Sequence, residues 1–201
     1  MKRMYVPLAL AATLVAAACG KPKVVVRAQL DGGPVADLPV RLLSYDRKAI
    51  LDSLARSSKT PEPVFPQELI QQIRQLDAEL PAARARGDTA VARVDAQRRA
   101  LTARTDTIRA LRQAWATRAF ARFDTIVQKK TVQRGLVIRE DTTDAAGRAE
   151  LKGDKGQWWI SARYTLRYTE LSWDIPVKVE PGQDSVVVTL TRANAVETAS
   201  F

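Results

Sequence analysis

Apolar and polar residues alternate near both ends of the chain, and this period of two predicts β-strands. Residues 23–30 and 38–44 are aliphatic runs on either side of a turn segment that contains two glycines and a proline. The pattern returns after residue 131 and continues to about residue 192. Its clearest strand has one apolar face, formed by Trp158, Ile160, Ala162, Tyr164, Leu166 and Tyr168. Similar runs over 171–179 and 186–190 follow, so the two ends together predict an antiparallel β-sandwich.

Between the two β regions the apolar period changes to 3.6, which is typical of amphipathic helices. Three prolines over residues 60–66 favour an extended chain. A first helix is then predicted from Pro66 to about Arg86, with an apolar face formed by Leu69, Ile73, Leu76 and Leu80. Gly87 and Asp88 predict the end of this helix and the start of the next one.

The second helix is predicted from about Asp88 to Ile126, a length of roughly 58 Å at 1.5 Å per residue. Its apolar residues recur every seven positions, which indicates a seam against a partner helix: Val94, Leu101, Ile108 and Trp115. We therefore predict an antiparallel, coiled-coil-like helical hairpin inserted over residues 47–130. The expected fold class is α+β, with the β-sandwich over 19–46 and 131–192 and a disordered tail over 193–201.

The first eighteen residues have the pattern of a secretory signal. Lys2 and Arg3 precede an apolar run over 4–18, which is shorter than the roughly 20 residues of a spanning helix. Three alanines directly before Cys19 resemble a bacterial lipobox. That resemblance implies cleavage before Cys19 and its acylation, which makes the mature chain a bacterial lipoprotein, and Gly20 favours the outer membrane. The alternative is an ordinary secretory signal followed by a free cysteine.

Composition narrows the chemistry that the chain can carry out. The 201 residues have a net charge of +10, no histidine and a single cysteine. Disulfide frameworks, Cys/His zinc sites and Ser-His-Asp catalysis are therefore excluded. An exported lipoprotein is also the wrong setting for nucleic acid. Glu140, Asp141 and Asp144 are the nearest approach to a cation site, but a turn from Asp144 to Gly147 accounts for them, and we predict no metal or cofactor.

Several β segments resemble a known family. The stretches 143–151 (TDAAGRAEL), 156–162 (GQWWISA), 179–182 and 186–191 resemble the carboxypeptidase regulatory-like domain, and residues 23–46 resemble its opening strands. The resemblance covers about 85 of the 201 residues. It implies a transthyretin-like β-sandwich of about seven strands, in a family with no conserved catalytic set and with many accessory or binding modules. The long insertion departs from the compact family pattern.

The candidate binding residues lie on the insertion and on one strand. Residues 66–130 hold 13 Lys and Arg against 7 Asp and Glu, which indicates either a solvated basic face or a surface for an anionic partner. Arg99 and Arg112 are the hairpin candidates. Trp159 and Arg163 share the polar face of a strand, where Trp159 either stacks on a partner or lies under the hairpin.

These observations predict a lipid-anchored envelope protein that binds or scaffolds through its helical hairpin and is not an enzyme. No nucleophile with a base, ligand cluster or phosphate loop is evident in the sequence. The expected partners are the membrane, through the anchor, and an envelope protein or anionic polymer. A self-associating structural protein and an accessory to a carbohydrate-active enzyme are the alternatives.

Overall fold

A computed structural model describes residues 22–133 and 135–199, in which strands from both ends of the chain flank a helical segment. The strands are β1 (Lys23–Leu30), β2 (Gly33–Pro34), β3 (Pro39–Leu43), β4 (Ile138–Thr142), β5 (Arg148–Lys152), β6 (Gly156–Thr165), β7 (Thr169–Val179), β8 (Ser185–Leu190) and β9 (Val196–Ala199). The helices are α1 (Arg47–Ser57), α2 (Gln67–Arg86), α3 (Asp88–Ala119) and α4 (Phe123–Thr131). The predicted signal, Cys19 and the last two residues lie outside the described residues.

Two sheets make up the β part, and the predicted α+β class is confirmed. One sheet has the order β4-β3-β6-β7-β9 and is antiparallel throughout. In the other, β1 pairs antiparallel with β2 and β5 but parallel with β8. The expectation of purely antiparallel pairing is therefore wrong for β8. Because β8 follows a strand of the opposite sheet, it enters beside β1 through a crossover rather than a hairpin.

The main core lies between the two sheets and is built from alternate strand residues. The predicted alternation is confirmed for β6 and β7, whose inward residues include Trp158, Ile160, Ala162, Leu171, Trp173, Val177 and Val179. Leu166 and Tyr168, which were predicted to continue β6, lie beyond its end. The Leu166 amide donates to the Thr169 carbonyl at 2.7 Å, so the chain already turns there into β7.

The Thr-Asp-x-x-Gly segment is a structural turn. The Thr143 hydroxyl is buried, accepts from the Leu38 amide at 2.9 Å and donates to the Val35 carbonyl at 2.7 Å. The Asp144 carboxylate accepts from two backbone amides of its own turn, both at 2.9 Å. Gly147 has a φ of +72°, and a Cβ there would collide with the Ala28 carbonyl oxygen.

The insertion contains four helices rather than two. The short α1 was missed because only Ile50 and Leu54 are buried in it, although Asp46 caps it by accepting from the Ala49 amide at 2.8 Å. Between α2 and α3 the chain turns at Gly87, whose φ is +104°, and this confirms the predicted boundary. Pro81 lies inside α2 without ending the helix.

The second predicted helix is too long by seven residues, about two turns. It ends at Ala119, and α4 follows after a tight turn in which the Phe123 amide donates to the Phe120 carbonyl at 2.9 Å. The break lets Phe120 pack edge-on against Trp115, with ring centroids 5.3 Å apart. It also lets α4 join α1 in a second apolar cluster on the outer face of the five-stranded sheet, formed by Leu43, Tyr45, Ile50, Leu54 and Val127. The insertion thus extends one residue further than expected, to Thr131.

The prediction of a disordered tail is wrong for most of its length. Strand β9 pairs antiparallel with β7 and closes that edge of the sheet. The Asn194 side chain holds the approach to it, because its oxygen accepts from the Thr191 amide at 2.8 Å and from the Trp173 indole at 3.0 Å. The buried Trp173 indole N–H needs an acceptor, and the tail supplies it. The residues of the tail show no strand periodicity, so the sequence does not predict this contact.

Candidate functional site

The hairpin of α2 and α3 is joined to the sheet through one acidic side chain. Asp77 of α2 is 9 % exposed, and its two oxygens bind Arg98 of α3 and Arg167, each at 2.8 Å. The Tyr168 hydroxyl hydrogen-bonds to the same carboxylate. Arg167 and Tyr168 form the turn between β6 and β7, so the hairpin is held against that end of the sheet.

Arg112, a predicted partner-binding residue, is engaged inside the molecule. Its guanidinium pairs with Glu62 at 2.6 Å and lies 5.5 Å from the centre of the Phe65 ring. One turn further along α3, the Trp115 indole donates to the Thr60 carbonyl at 2.8 Å. These contacts hold the Pro-rich segment against α3, and they make Arg112 a structural residue at the base of the hairpin.

Arg99, the other hairpin candidate, is exposed in the middle of α3. It belongs to a set that we call the unpaired arginines, which make no ion pair, side-chain hydrogen bond or ring contact within residues 22–133 and 135–199: Arg84, Arg99, Arg104 and Arg118 on the hairpin, and Arg122 in the turn after α3. Arg74 of α2 has no acidic partner either, but its guanidinium lies 5.2 Å from the centre of the Tyr168 ring. A second set has acidic partners on the hairpin or beside it: Arg86, Arg93, Arg98, Arg109 and Arg112. The hairpin therefore divides its positive charge between internal pairing and the solvent.

Arg163 lies at a separate place, an open groove of about 590 Å³ on the outer face of the five-stranded sheet. Arg41 of β3, Arg47 at the start of α1 and Arg163 of β6 converge on this groove. Hydroxyls of Tyr45 and Ser161 join them, and the apolar part of the wall consists of Pro39, Leu43, Phe123, Ile138 and Ala162. We call this the arginine groove.

The charges around the arginine groove are only loosely compensated. Arg163 approaches Glu170 at 3.8 Å, and Arg47 approaches Asp174 at 3.7 Å, which is too long for a hydrogen bond. Arg41 has a closer partner, Glu140, at 2.8 Å. The pKa of Arg47 is lowered by burial, and the positive charge of Arg163 adds to this effect.

Asp174 of β7 does not line the groove but approaches Arg47, and one of its oxygens is unsatisfied. Its side chain is 10 % exposed, and its Oδ1 atom is buried without a hydrogen-bond partner. Burial raises the pKa of this carboxyl, whereas the hydrogen bond with Ser161 and the charge of Arg47 act in the opposite direction. Next to the site there is therefore a buried acid, 3.7 Å from an arginine that it does not fully neutralise.

Trp159, the remaining predicted residue, is half-buried on the outer face of β6. It packs against the second apolar cluster, so its cover comes from α1 and α4 rather than from the α2–α3 hairpin. The structure thus separates the predicted residues: Trp159 lies under helices, Arg163 lines the groove, and Arg99 and Arg112 lie on the hairpin. Cys19 lies before the first described residue.

Sequence reasoning missed Arg41, Arg47 and Asp174. Arg41 faces the groove because β3 pairs with β6 in a register that puts Arg41 opposite Ser161, and no sequence pattern reveals which strands pair. Arg47 begins the undetected α1. The one available signal was the capping residue Asp46 directly before it.

No family model matches the chain, and no curated protein matches it in sequence. In the part of the chain that the structure describes, no cluster of three or more histidine, cysteine, aspartate or glutamate side chains is arranged to hold a metal ion. Among the helices of residues 22–133 and 135–199, none has the length and hydropathy that a membrane crossing requires.

Proposed function

We propose that this protein is a lipid-anchored binding module of the bacterial cell envelope, which holds an anionic partner through its helical hairpin and does not transform it. The observation that carries the proposal is the division of the hairpin arginines into a paired and an unpaired set. The unpaired arginines keep all their donors available to an external anion, because no acidic side chain of the described chain occupies them. Arginine binds carboxylate and phosphate oxygens and supplies no nucleophile.

The position of the chain's first described residues supports an anchor at one end of the sandwich. The Pro22 carbonyl accepts from the Gly153 amide at 2.9 Å, which fixes the chain beside the end of β5. Cys19 is three residues earlier, so an acyl anchor on it reaches at most about 11 Å from Pro22. The exposed Lys152 and Lys155 lie near this end, where positive charge suits anionic headgroups.

The hairpin is attached to the other sheet, at the opposite end of the sandwich. β6 begins at Gly156 beside the anchor end, and the turn that contacts Asp77 follows its last residue, Thr165. Ten extended residues span about 33 Å. In this arrangement the acyl chains insert at one end of the sandwich, and the contact that holds the hairpin lies at the other end, away from the bilayer.

The sandwich itself is proposed to be a carboxypeptidase regulatory-like domain of transthyretin-like topology, interrupted between β3 and β4 by the four helices. Two facing sheets and the buried turn from Thr143 to Gly147 support this assignment. The nine strands found among the described residues exceed the expected seven, because the two-residue β2 and the tail strand β9 are added.

In-cell photo-crosslinking tests the binding proposal at two positions of α3. A photoreactive residue in place of Arg99, in the unpaired set, is expected to form adducts with an acidic envelope component. The same residue in place of Arg112, which is paired with Glu62, is expected to give far fewer. Equal yields from both positions contradict the proposal. Adducts only between copies of the chain would instead support the self-associating structural protein.

The anchor has its own test, which is independent of the partner. Cys19→Ala is expected to leave the protein unprocessed or to release it from the membrane fraction, because acylation needs the thiol. Metabolic labelling with an alkyne fatty acid should mark the parent protein and not the variant. A variant that is processed and sediments with membranes like the parent would show that the anchor assignment is wrong.

A further inference from the structure

The geometry points to a second binding site in the arginine groove, which we propose takes a small ligand with an oxyanion group on an apolar body. The site involves neither the anchor nor the hairpin, and it therefore stands apart from the proposed function. Its three guanidinium groups come from β3, α1 and β6, which are brought together only by the fold. Glu140 is the single acidic residue among the lining side chains.

Arg47 and Arg163 carry the anion-binding argument. A guanidinium presents five N–H donors in a planar fork and needs several acceptors to satisfy them. Arg47 has its charge 3.7 Å from Asp174 and Arg163 has its charge 3.8 Å from Glu170, so both pairs are longer than hydrogen bonds. An oxyanion between the two arginines would accept from both and would reduce their mutual repulsion.

The arginine groove differs from a patch of exposed surface charge because one of its arginines, Arg47, is partly buried. The Arg47 side chain is only 26 % exposed, and its pKa is lowered first by burial and then by Arg163. A half-buried cation beside another cation is stabilised by a bound anion more strongly than an exposed lysine would be, because screening by water is weaker there. The neighbouring Asp174 approaches Arg47 no closer than 3.7 Å and does not supply the missing acceptor.

The apolar lining residues of the groove indicate what the non-ionic part of the ligand must be. Leu43, Phe123 and Ile138 contribute apolar surface to the groove, and Tyr45 and Ser161, which carry hydroxyl groups, also line it. A volume of about 590 Å³ falls within the range of about 300–1,000 Å³ typical of small-molecule sites. The occupant therefore combines an anionic group with a ring or short chain, and the anionic group is a carboxylate or a phosphate.

Calorimetric titration of the acylated protein in nanodiscs of zwitterionic lipid tests the inference. The probes are benzoate, phenyl phosphate, inorganic phosphate and the neutral benzyl alcohol, with empty nanodiscs as the blank. Benzoate and phenyl phosphate identify which oxyanion is preferred. The better of the two should bind at least tenfold more tightly than benzyl alcohol, which lacks the anionic group, and than inorganic phosphate, which lacks the apolar ring.

Arg163→Gln is the decisive variant, because the Arg163 side chain is half-exposed and we expect its replacement to leave the fold intact. We expect it to weaken the preferred probe at least tenfold. The matched controls Arg27→Gln on β1 and Arg56→Gln on α1 remove the same charge from exposed positions outside the groove and should stay within twofold of the parent. Arg47→Gln should lose binding as well, and its thermal midpoint reports whether it is folded.

Two results would overturn the inference. One is that neither benzoate nor phenyl phosphate binds the parent protein with a Kd below about 5 mM. The other is that Arg163→Gln and the two control variants bind the preferred probe equally. Neither result bears on the hairpin, because Arg99 and the other unpaired arginines are unchanged in every protein of this experiment.

Discussion

Asp77 of α2 accepts a hydrogen bond of 2.8 Å from Arg167, in the turn between β6 and β7. Its other oxygen binds Arg98 of α3 at the same distance. One nearly buried carboxylate therefore ties both helices of the hairpin to the sheet. Because a buried charge is stable only when it is paired, this contact fixes the position of the hairpin relative to the sandwich.

Asp77→Asn is expected to destabilise the protein by about 1–3 kcal/mol, since hydrogen bonds to a charged group are replaced by weaker neutral ones. Urea unfolding measures this loss, and hydrogen exchange should show faster opening of α2 than of β6. Asp106→Asn is the control, because it removes an exposed pair with Arg109 and should cost less than about 0.5 kcal/mol. Equal effects of the two substitutions would show that Asp77 does not fasten the hairpin.

Gly147→Ala is expected to destabilise the sandwich by about 3 kcal/mol or more, since the new Cβ meets the Ala28 carbonyl oxygen in a left-handed turn. Gly87→Ala is the matched control. Gly87 also has a positive φ, but its Cβ would meet nothing within 4 Å, so it should cost only about 1 kcal/mol. Thermal unfolding distinguishes the two, and similar midpoints would contradict this account of the turn.

Elements whose own residues carry a clear pattern could be predicted from the sequence. Elements that form only by packing against a distant segment could not. The alternation around Trp158 and Trp173 and the glycine at position 87 are readable in a single segment. By contrast, α1 buries only two residues. The strand at Val196–Ala199 forms because it pairs with the edge of β7 and because Asn194, just before it, accepts a hydrogen bond from the Trp173 indole. Convergence of Arg41, Arg47 and Arg163 depends on strand pairing, which no periodicity encodes.

Replacing residues 61–119 by a short Gly/Ser linker should leave a protein that unfolds cooperatively. The main core contains no residue of α2 or α3, and the second cluster takes its helical part from α1 and α4. Extending the deletion to residue 128 removes Val127 and most of α4, and we expect this version to be less stable by about 2–5 kcal/mol. If the shorter deletion is unfolded, the hairpin and the sandwich share one folding unit.

Asp174→Asn should change the pH dependence of stability. Burial raises the pKa of Asp174 above its ordinary value of 3.8, so the folded state binds this proton more tightly than the unfolded state does. The stability contribution is present below that value and is lost as pH rises through the folded pKa. Asparagine carries no such proton. The stability of the variant relative to the parent should therefore increase between about pH 3 and about pH 7. A constant difference across this range would be evidence against a raised pKa.

The most direct test of the central claim compares two triple variants of the full chain, each of which removes three positive charges from the hairpin. One replaces Arg99, Arg104 and Arg118 of the unpaired set by glutamine. The other replaces Arg86, Arg93 and Arg109, which pair with Glu79 or Asp106. Binding to dextran sulfate, with neutral dextran as the blank, is measured from about 0.1 M to about 1 M salt, where the Debye length falls to about 3 Å.

We expect the first triple variant to lose at least tenfold in affinity at low salt, while the second stays within threefold of the parent. We also expect binding of the parent to disappear at high salt. Equal losses in the two variants would mean that net charge alone attracts the polymer, and equal binding of dextran and dextran sulfate would mean that no anion is recognised. Either result would contradict the assignment of the unpaired arginines as the binding surface.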